Sequence, residues 1–113
     1  MFNFNIFGSN EGNIDVEKFD ELIKQNYTVI DVRTPEEYNQ SRIDGALLIN
    51  FYDPKFKKRV NELDKDGKYL IYCRSGNRSR NALSMFKEAG IVNAFHLTGG
   101  IISWHKAGKQ IVN

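Results

Sequence analysis

The sequence is poor in cysteine and histidine, and these two shortages exclude whole classes of site. With one cysteine among its 113 residues, the chain cannot form an internal disulfide, and a lone thiol persists best in a reducing compartment. We therefore expect the protein in the cytoplasm. One cysteine and two distant histidines, His96 and His105, do not have the spacing of metal ligands. No metal or other cofactor is expected, and a structural role is expected for each histidine.

Long apolar runs and a strong charge of either sign are also missing. No stretch approaches the roughly 20 apolar residues of a membrane-spanning helix. The first residues lack the basic and apolar regions of a secretory signal. The formal net charge of +2 is too small to indicate nucleic-acid or membrane binding. No nucleic-acid or membrane partner is therefore expected.

What is present is the composition of an ordinary globular protein. Hydrophobic residues make up 41% of the chain and charged residues 27%. The length suits a single domain over residues 1–113. Residues 1–13 are rich in asparagine and are interpreted as a loose N-terminal arm. Two alternatives fit it equally well: a short strand in which Phe2, Phe4 and Ile6 alternate, or a disordered tail.

Strands and helices are predicted to alternate along the chain. The patterns predict strands over residues 27–30, 45–49, 69–72 and 94–97, and helices over residues 16–25, 35–40, 54–63, 80–89 and 101–107. This order is typical of an α/β fold with a central parallel sheet of about five strands and helices on both faces. Ligands of such sheets bind at the carboxyl ends of strands, where Asp31–Arg33, Cys73 and Gly99–Gly100 are predicted to lie.

Cys73 lies where a predicted buried strand ends and a helix follows. A lone cysteine at a strand end can be a small buried hydrophobic residue. Here it is followed by small, polar and basic residues that can curl backbone N–H groups around one point, next to the positive end of a helix. A thiol in that setting is expected to exist largely as the thiolate near neutral pH. We therefore interpret Cys73 as a nucleophile and the following loop as an anion-binding cradle, made of Arg74, Ser75, Gly76, Asn77, Arg78 and Ser79.

Two chemistries fit an activated thiolate in such a loop. The thiolate can attack phosphorus, or it can attack a sulfane sulfur and keep it as a persulfide. Cysteine-dependent phosphatases place five residues between cysteine and arginine, whereas four residues separate Cys73 from Arg78. A shorter loop encloses a smaller space, which favours a single sulfur atom over a tetrahedral oxyanion. A phosphatase or an arsenate reductase is the less favoured alternative.

Residues 73–79 (CRSGNRS) resemble the active-site loop of rhodanese-like sulfurtransferases. Residues 31–38 (DVRTPEEY) resemble the Asp-Val-Arg…Glu-Tyr signature of that family, and residues 97–104 (LTGGIISW) resemble its closing Leu-x-Gly-Gly…Trp segment. Order and spacing agree from about residue 14 to residue 104. One position departs from the family pattern, because Arg42 stands where the family often has histidine.

The resemblance implies a rhodanese-like fold and transfer of sulfane sulfur through a persulfide on Cys73. The donor would be thiosulfate or another persulfide, and the acceptor cyanide or a thiol. A sulfur-relay protein would be an alternative partner. A sulfur carrier or regulatory binding module, or a peroxide sensor, would use the same thiol.

Several polar residues besides Cys73 are expected to bind the donor or to support the site. Arg74 and Arg78 are the candidates for orienting an anionic donor. Asp31 and Arg33 are expected to pair with each other or with loop backbone and so support the site. Glu37 is interpreted as a helix cap and left out of the site.

Overall fold

The computed structural model describes residues 12–113, so the strand predicted through Phe2, Phe4 and Ile6 lies outside the described residues. The strands are β1 (Asn13–Ile14), β2 (Thr28–Asp31), β3 (Leu47–Leu48), β4 (Tyr69–Tyr72) and β5 (Ala94–Leu97), and the helices are α1 (Val16–Ile23), α2 (Pro35–Gln40), α3 (Phe56–Asn61), α4 (Asn77–Glu88) and α5 (Gly100–Lys106). Within these residues no helix is long and apolar enough to cross a membrane.

The strands form one five-stranded sheet in the order β1-β5-β4-β2-β3, and all of its pairings are parallel. The predicted fold class is thereby confirmed. β1 was not predicted as a strand and includes Asn13, a residue assigned to the arm. Its register pairs Asn13 with His96 and Ile14 with Leu97, so a two-residue strand is defined by its pairing with β5.

β4 lies at the centre of the sheet, and each of its four residues is buried. Successive side chains of a strand point to opposite faces of the sheet. Tyr69, Ile71 and Cys73 pack in one buried cluster with residues of α3 and α4. Leu70 and Tyr72 pack in a second cluster with residues of α1 and α5. The helices thus cover both faces, and Cys73 points toward the face that carries α4.

The start of α4 differs from the prediction in a way that matters for the site. Gly76 has a φ of 111°, a left-handed conformation that favours glycine, and stands directly before the helix. Its carbonyl accepts a hydrogen bond from Arg80 N at 3.0 Å. The helix therefore begins at Asn77 rather than at residue 80, and the second half of the cysteine motif forms its first turn.

Other helix and strand boundaries differ from the predicted ones where a turn replaces part of the helix or strand. α1 ends two residues early, before Asn26, which has a φ of 69°. β3 is shorter than predicted, because a turn with Gly45 at a φ of 82° precedes it. α3 begins at Phe56, since the Asp53 carboxylate accepts from Lys55 N at 2.8 Å and holds residues 53–55 in a turn. Asp15 caps α1, with its Oδ1 accepting from the N–H of residue 18 at 2.9 Å.

Candidate active site

The Cys73 side chain lies directly after β4 and is 1% exposed. The chain curls back so that the backbone N–H of Gly76 donates to Cys73 Sγ at 3.1 Å, and that of Ser79 donates at 3.3 Å. Two amides thus converge on one sulfur atom from the same loop. Such convergent N–H groups stabilise a negatively charged atom.

The sulfur also faces the first turn of a twelve-residue helix, α4. A helix N-terminus carries partial positive charge and unpaired N–H groups, so it favours a thiolate over a thiol. The N–H of Ser79 belongs to this first turn. The cradle predicted from the sequence is therefore built by a loop and a helix end together.

The Gly99–Gly100 turn braces the start of the cysteine loop. The N–H of Ile101 donates to Cys73 O at 2.9 Å, and the N–H of the next residue donates to Arg74 O at 3.2 Å. Gly100 has a φ of 62°, and a Cβ atom placed on it would overlap the carbonyl oxygens of Cys73 and Arg74. The turn needs glycine because α5 approaches the loop backbone this closely.

The guanidinium of Arg78 contacts α2 through Glu37. Its Nη1 and Nη2 donate to the Glu37 carboxylate at 2.8 and 3.0 Å, a two-pronged ion pair. This hydrogen bonding to Arg78 lowers the pKa of Glu37 to about 2 and raises the pKa of Arg78. The guanidinium also lies 5.6 Å from the centre of the Tyr52 ring.

Glu37 was left out of the predicted site but contacts the cysteine loop directly. It also closes the expected capping box, in which Glu37 N donates to Thr34 Oγ1 at 3.3 Å and Thr34 N donates to Glu37 Oε1 at 3.1 Å. The capping interpretation was right but incomplete. Glu37 belongs to the family-like segment at residues 31–38, and that was the sequence signal for its second contact.

Asp31 and Arg33 form a buried ion pair beneath the rim, which is the pairing expected of them. Arg33 Nη2 donates to Asp31 Oδ2 at 2.7 Å and to Ser41 O at 2.6 Å. The hydroxyl of Tyr72 donates to Asp31 Oδ2 at 2.6 Å and accepts from Ile43 N at 3.1 Å. Burial disfavours a charged Arg33, but the hydrogen bonds to Asp31 and the negative charges around it together outweigh this, and the pKa of Arg33 is raised. The network links the carboxyl ends of β2 and β4 to the segment after α2.

His96 lies on β5, the strand predicted for it, but its contact with the cysteine loop was not predicted. Its Nδ1 lies 2.9 Å from Ser79 Oγ, and its Nε2 lies 2.8 Å from Asn13 Oδ1. Burial, with a smaller contribution from the charge of Arg80, lowers the pKa of His96 to about 4. The imidazole is therefore neutral at neutral pH and sits directly behind the cysteine loop.

The remaining predicted site residues lie on the outer side of the loop. Arg74, Ser75 and Asn77 are exposed.

Arg42, which stands where the family often has histidine, donates from Nη1 to Tyr38 O at 3.1 Å and lies over the Tyr38 ring at 4.6 Å. Arg42 therefore packs against α2 in the same helix–loop region that carries Glu37.

A cavity of about 200 Å³ opens behind the loop. It is lined by residues of β1, the cysteine loop, α4, β5 and the turn after β5, namely Asn13, Ser75, Gly76, Asn77, Arg80, His96, Thr98 and Gly99. His96, which lines this cavity, also contacts the cysteine loop through Ser79.

Comparisons with known proteins agree with this geometry. The rhodanese-like domain family matches residues 15–107. A protein of Allochromatium vinosum named sulfurtransferase is 35% identical over 101 residues, which cover 88% of this chain and 92% of the relative. The crystal structure of a rhodanese-related protein from Thermoplasma volcanium has a TM-score of 0.79 and 33% identity, and the match covers 88% of this chain and 96% of that one.

A longer relative matches over part of its length. The probable adenylyltransferase/sulfurtransferase MoeZ of Mycobacterium tuberculosis is 41% identical over 78 residues, which cover 69% of this chain and 20% of that protein. This chain therefore spans about a fifth of the length of that relative. Because the family match covers most of its residues, the chain belongs to the family of rhodanese-like domains.

Proposed function

We propose that this protein is a sulfurtransferase that carries a sulfane sulfur on Cys73, from thiosulfate or another persulfide donor to cyanide or a thiol. The observation that carries the proposal is the pair of backbone N–H groups on Cys73 Sγ, at 3.1 and 3.3 Å. They favour the thiolate that must attack, and the same amides are placed to hold a persulfide.

The proposed reaction consists of two displacements at sulfur. The Cys73 thiolate attacks the outer sulfur of thiosulfate, the Sγ–S bond forms, and the S–S bond of the donor breaks. Sulfite leaves with that electron pair. Cyanide then attacks the outer sulfur of the persulfide, thiocyanate forms, and the Cys73 thiolate is regenerated. No net proton or electron is required in either half-reaction with these substrates.

Donor binding is proposed for the basic residues of the loop. Arg74 is exposed at the mouth of the loop, where it can attract an anion. Arg78 is ion-paired with Glu37. Its proposed role is therefore to hold the loop in the geometry that binds an anion, rather than to bind the anion by itself. Asp31 and Arg33 are proposed to support the rim through their buried ion pair.

Loop size supports sulfur over phosphorus as the element that is transferred. Cys73 Sγ accepts from amides three and six residues away, so the loop closes within the first turn of α4. A free thiol of this kind persists in a reducing compartment, and we propose the cytoplasm as the location.

Steady-state kinetics with thiosulfate and cyanide test this proposal. A covalent sulfur intermediate predicts ping-pong behaviour, with parallel lines when reciprocal rate is plotted against reciprocal thiosulfate at several cyanide concentrations. Intersecting lines would contradict a Cys73 persulfide intermediate. Phosphate ester hydrolysis without thiocyanate release would instead favour the phosphatase alternative.

A further inference from the structure

A continuous set of polar contacts leads from the sulfur to the back of the loop. Cys73 Sγ lies 3.5 Å from Ser79 Oγ, which lies 2.9 Å from His96 Nδ1. His96 Nε2 lies 2.8 Å from Asn13 Oδ1. Ser79 Oγ also lies 3.2 Å from Gly76 O, a longer contact than the one to His96.

The acceptor atoms fix the direction of these hydrogen bonds when His96 is neutral. An amide oxygen accepts only, so Nε2 of His96 carries the proton and Nδ1 has a free lone pair. The Ser79 hydroxyl donates to that lone pair, and its oxygen accepts from the Cys73 thiol. Each group of the resting thiol state is thereby satisfied, with protons pointing from the sulfur toward the histidine.

We propose that His96 receives the proton of the Cys73 thiol through the Ser79 hydroxyl and so stabilises the reactive thiolate. The thiol S–H bond breaks and its proton forms a new O–H bond on Ser79. The former Ser79 proton moves to His96 Nδ1. The products are a thiolate that accepts from Ser79 and an imidazolium that donates to Ser79 and Asn13, so charge and protons balance. Ser79 and His96 are then positioning residues of the proposed sulfur transfer.

The surroundings of His96 allow it to receive a proton without retaining it. From α4 it faces Ser79 and the positive charge of Arg80, from β1 it faces Asn13, and its partner in β4 is the apolar Ile71. Burial and Arg80 keep the imidazole neutral while Cys73 is a thiol. The negative charge that the transfer leaves on Cys73, one hydroxyl away, opposes these two effects and favours the imidazolium. The cavity behind the loop gives His96 a route for exchanging the proton with water.

The test is the pH dependence of Cys73 alkylation by iodoacetamide, which reports the thiolate and needs no sulfur donor. His96→Gln keeps an acceptor for Ser79 but cannot take a proton. At about pH 6, alkylation of this variant is expected to be about tenfold slower than that of the wild type, the effect of losing one hydrogen bond to a charged group. At about pH 9, where a free thiol ionises without help, the two rates should converge.

The controls separate this role from a structural one. Ser79→Ala should give the same loss as His96→Gln, and the double variant should show no further loss, because both break one chain. His105→Gln, which changes the exposed histidine of α5, should behave like the wild type. If His96→Gln does not fold, Ser79→Ala carries the test from α4. The proposal would be overturned if Ser79→Ala kept the wild-type pH profile of alkylation, or if its alkylation rate fell by the same factor at both pH values.

The inference rests on the proposed function, but the two can fail separately. A changed alkylation profile without thiocyanate formation would remove the sulfurtransferase proposal and keep the proton path. Thiocyanate formation with a wild-type alkylation profile in both variants would remove the proton path and keep the sulfurtransferase proposal.

Discussion

At the scale of single residues, the site depends on side chains that serve two neighbours at once. Glu37 caps α2 through Thr34 and holds the guanidinium of Arg78 at 2.8 Å. Ser79 donates its N–H to the sulfur, and its hydroxyl lies 2.9 Å from His96 Nδ1. Each of these residues connects the cysteine loop to a different part of the chain, so its loss should affect both stability and reactivity.

Glu37→Gln should weaken both functions of Glu37. The neutral amide cannot form a charged pair with Arg78, and we expect the free energy of unfolding to fall by about 1–2 kcal/mol, as for a partly buried ion pair. Sulfur transfer should slow by roughly tenfold, because Arg78 is no longer held in place. Denaturant unfolding and steady-state rates measure these two effects.

Glu36→Gln is the matched control for that change, since Glu36 is the exposed neighbour in the same helix turn. We expect it to alter stability by less than about 0.5 kcal/mol and to leave the rate unchanged. Equal behaviour of the two variants would show that the Arg78 pair has no role in the site.

Contacts between residues close in sequence were predictable, and distant ones were not. Asp31 and Arg33 are two residues apart on a strand end, and their pairing followed from that spacing. Glu37 and Arg78 are 41 residues apart, and His96 and Ser79 are 17 residues apart. Contacts over such separations depend on the order and register of the strands. Local sequence patterns do not contain this information.

At the scale of elements, the cysteine loop is held between β4, α4 and α5. β4 was predictable because its apolar run is buried on both faces of the sheet. The start of α4 was not, because it depends on the left-handed conformation of Gly76 rather than on helix propensity. β1 was missed for a similar reason, since two residues carry no periodic pattern and β5 defines the strand.

Gly100→Ala should disrupt the loop through the close approach of α5. Its methyl group would overlap the carbonyls of Cys73 and Arg74, and the φ of 62° is strained for alanine. We expect a loss of about 2–4 kcal/mol in the free energy of unfolding. Sulfur transfer should fall further than stability alone explains, because the carbonyl of Cys73 must move.

Gly108→Ala is the control, since Gly108 has a φ of 80° but no atom within 4 Å of an added methyl group. It should cost about 1 kcal/mol from backbone strain and leave sulfur transfer intact in the folded protein. If both variants lost equal activity and stability, close packing of α5 on the loop would have no special role.

At the scale of the whole molecule, the sheet order brings the site together. β4 lies between β5 and β2, so the segments that follow these three strands meet at one edge. The sequence predicted this convergence of Asp31–Arg33, Cys73 and Gly99–Gly100, because parallel strands end at the same side. The ion pair of Glu37 and the contacts of His96 then connect this edge to α2 and β1.

The same buried groups should make the molecule less stable in acid. His96 has a folded-state pKa of about 4, below its ordinary 6.5, so between these values the unfolded chain takes up a proton that the folded protein does not. Stability should therefore fall by about 2–4 kcal/mol as the pH decreases from 6.5 to 4. Urea unfolding across this range measures the slope.

The second acid-sensitive group is Glu37, whose pKa falls from 4.5 to about 2 on folding. Its contribution is complete above pH 4.5 and is lost as the pH falls toward 2. His96→Gln should remove the dependence of stability on pH above pH 4.5 and keep the dependence below it. Glu37→Gln should keep the dependence above pH 4.5 and remove the one below it. An unchanged slope above pH 4.5 in His96→Gln would contradict the neutral state of His96 in the folded protein.

The central claim, a persulfide on Cys73, is tested most directly by the intact mass of the protein after incubation with thiosulfate and again after addition of cyanide. We predict a gain of one sulfur atom that cyanide removes as thiocyanate, and no gain in Cys73→Ser, because a hydroxyl is not ionised at neutral pH. A folded, reduced wild-type protein that gains no sulfur from thiosulfate or from a persulfide donor would contradict it, as would an equal gain in Cys73→Ser.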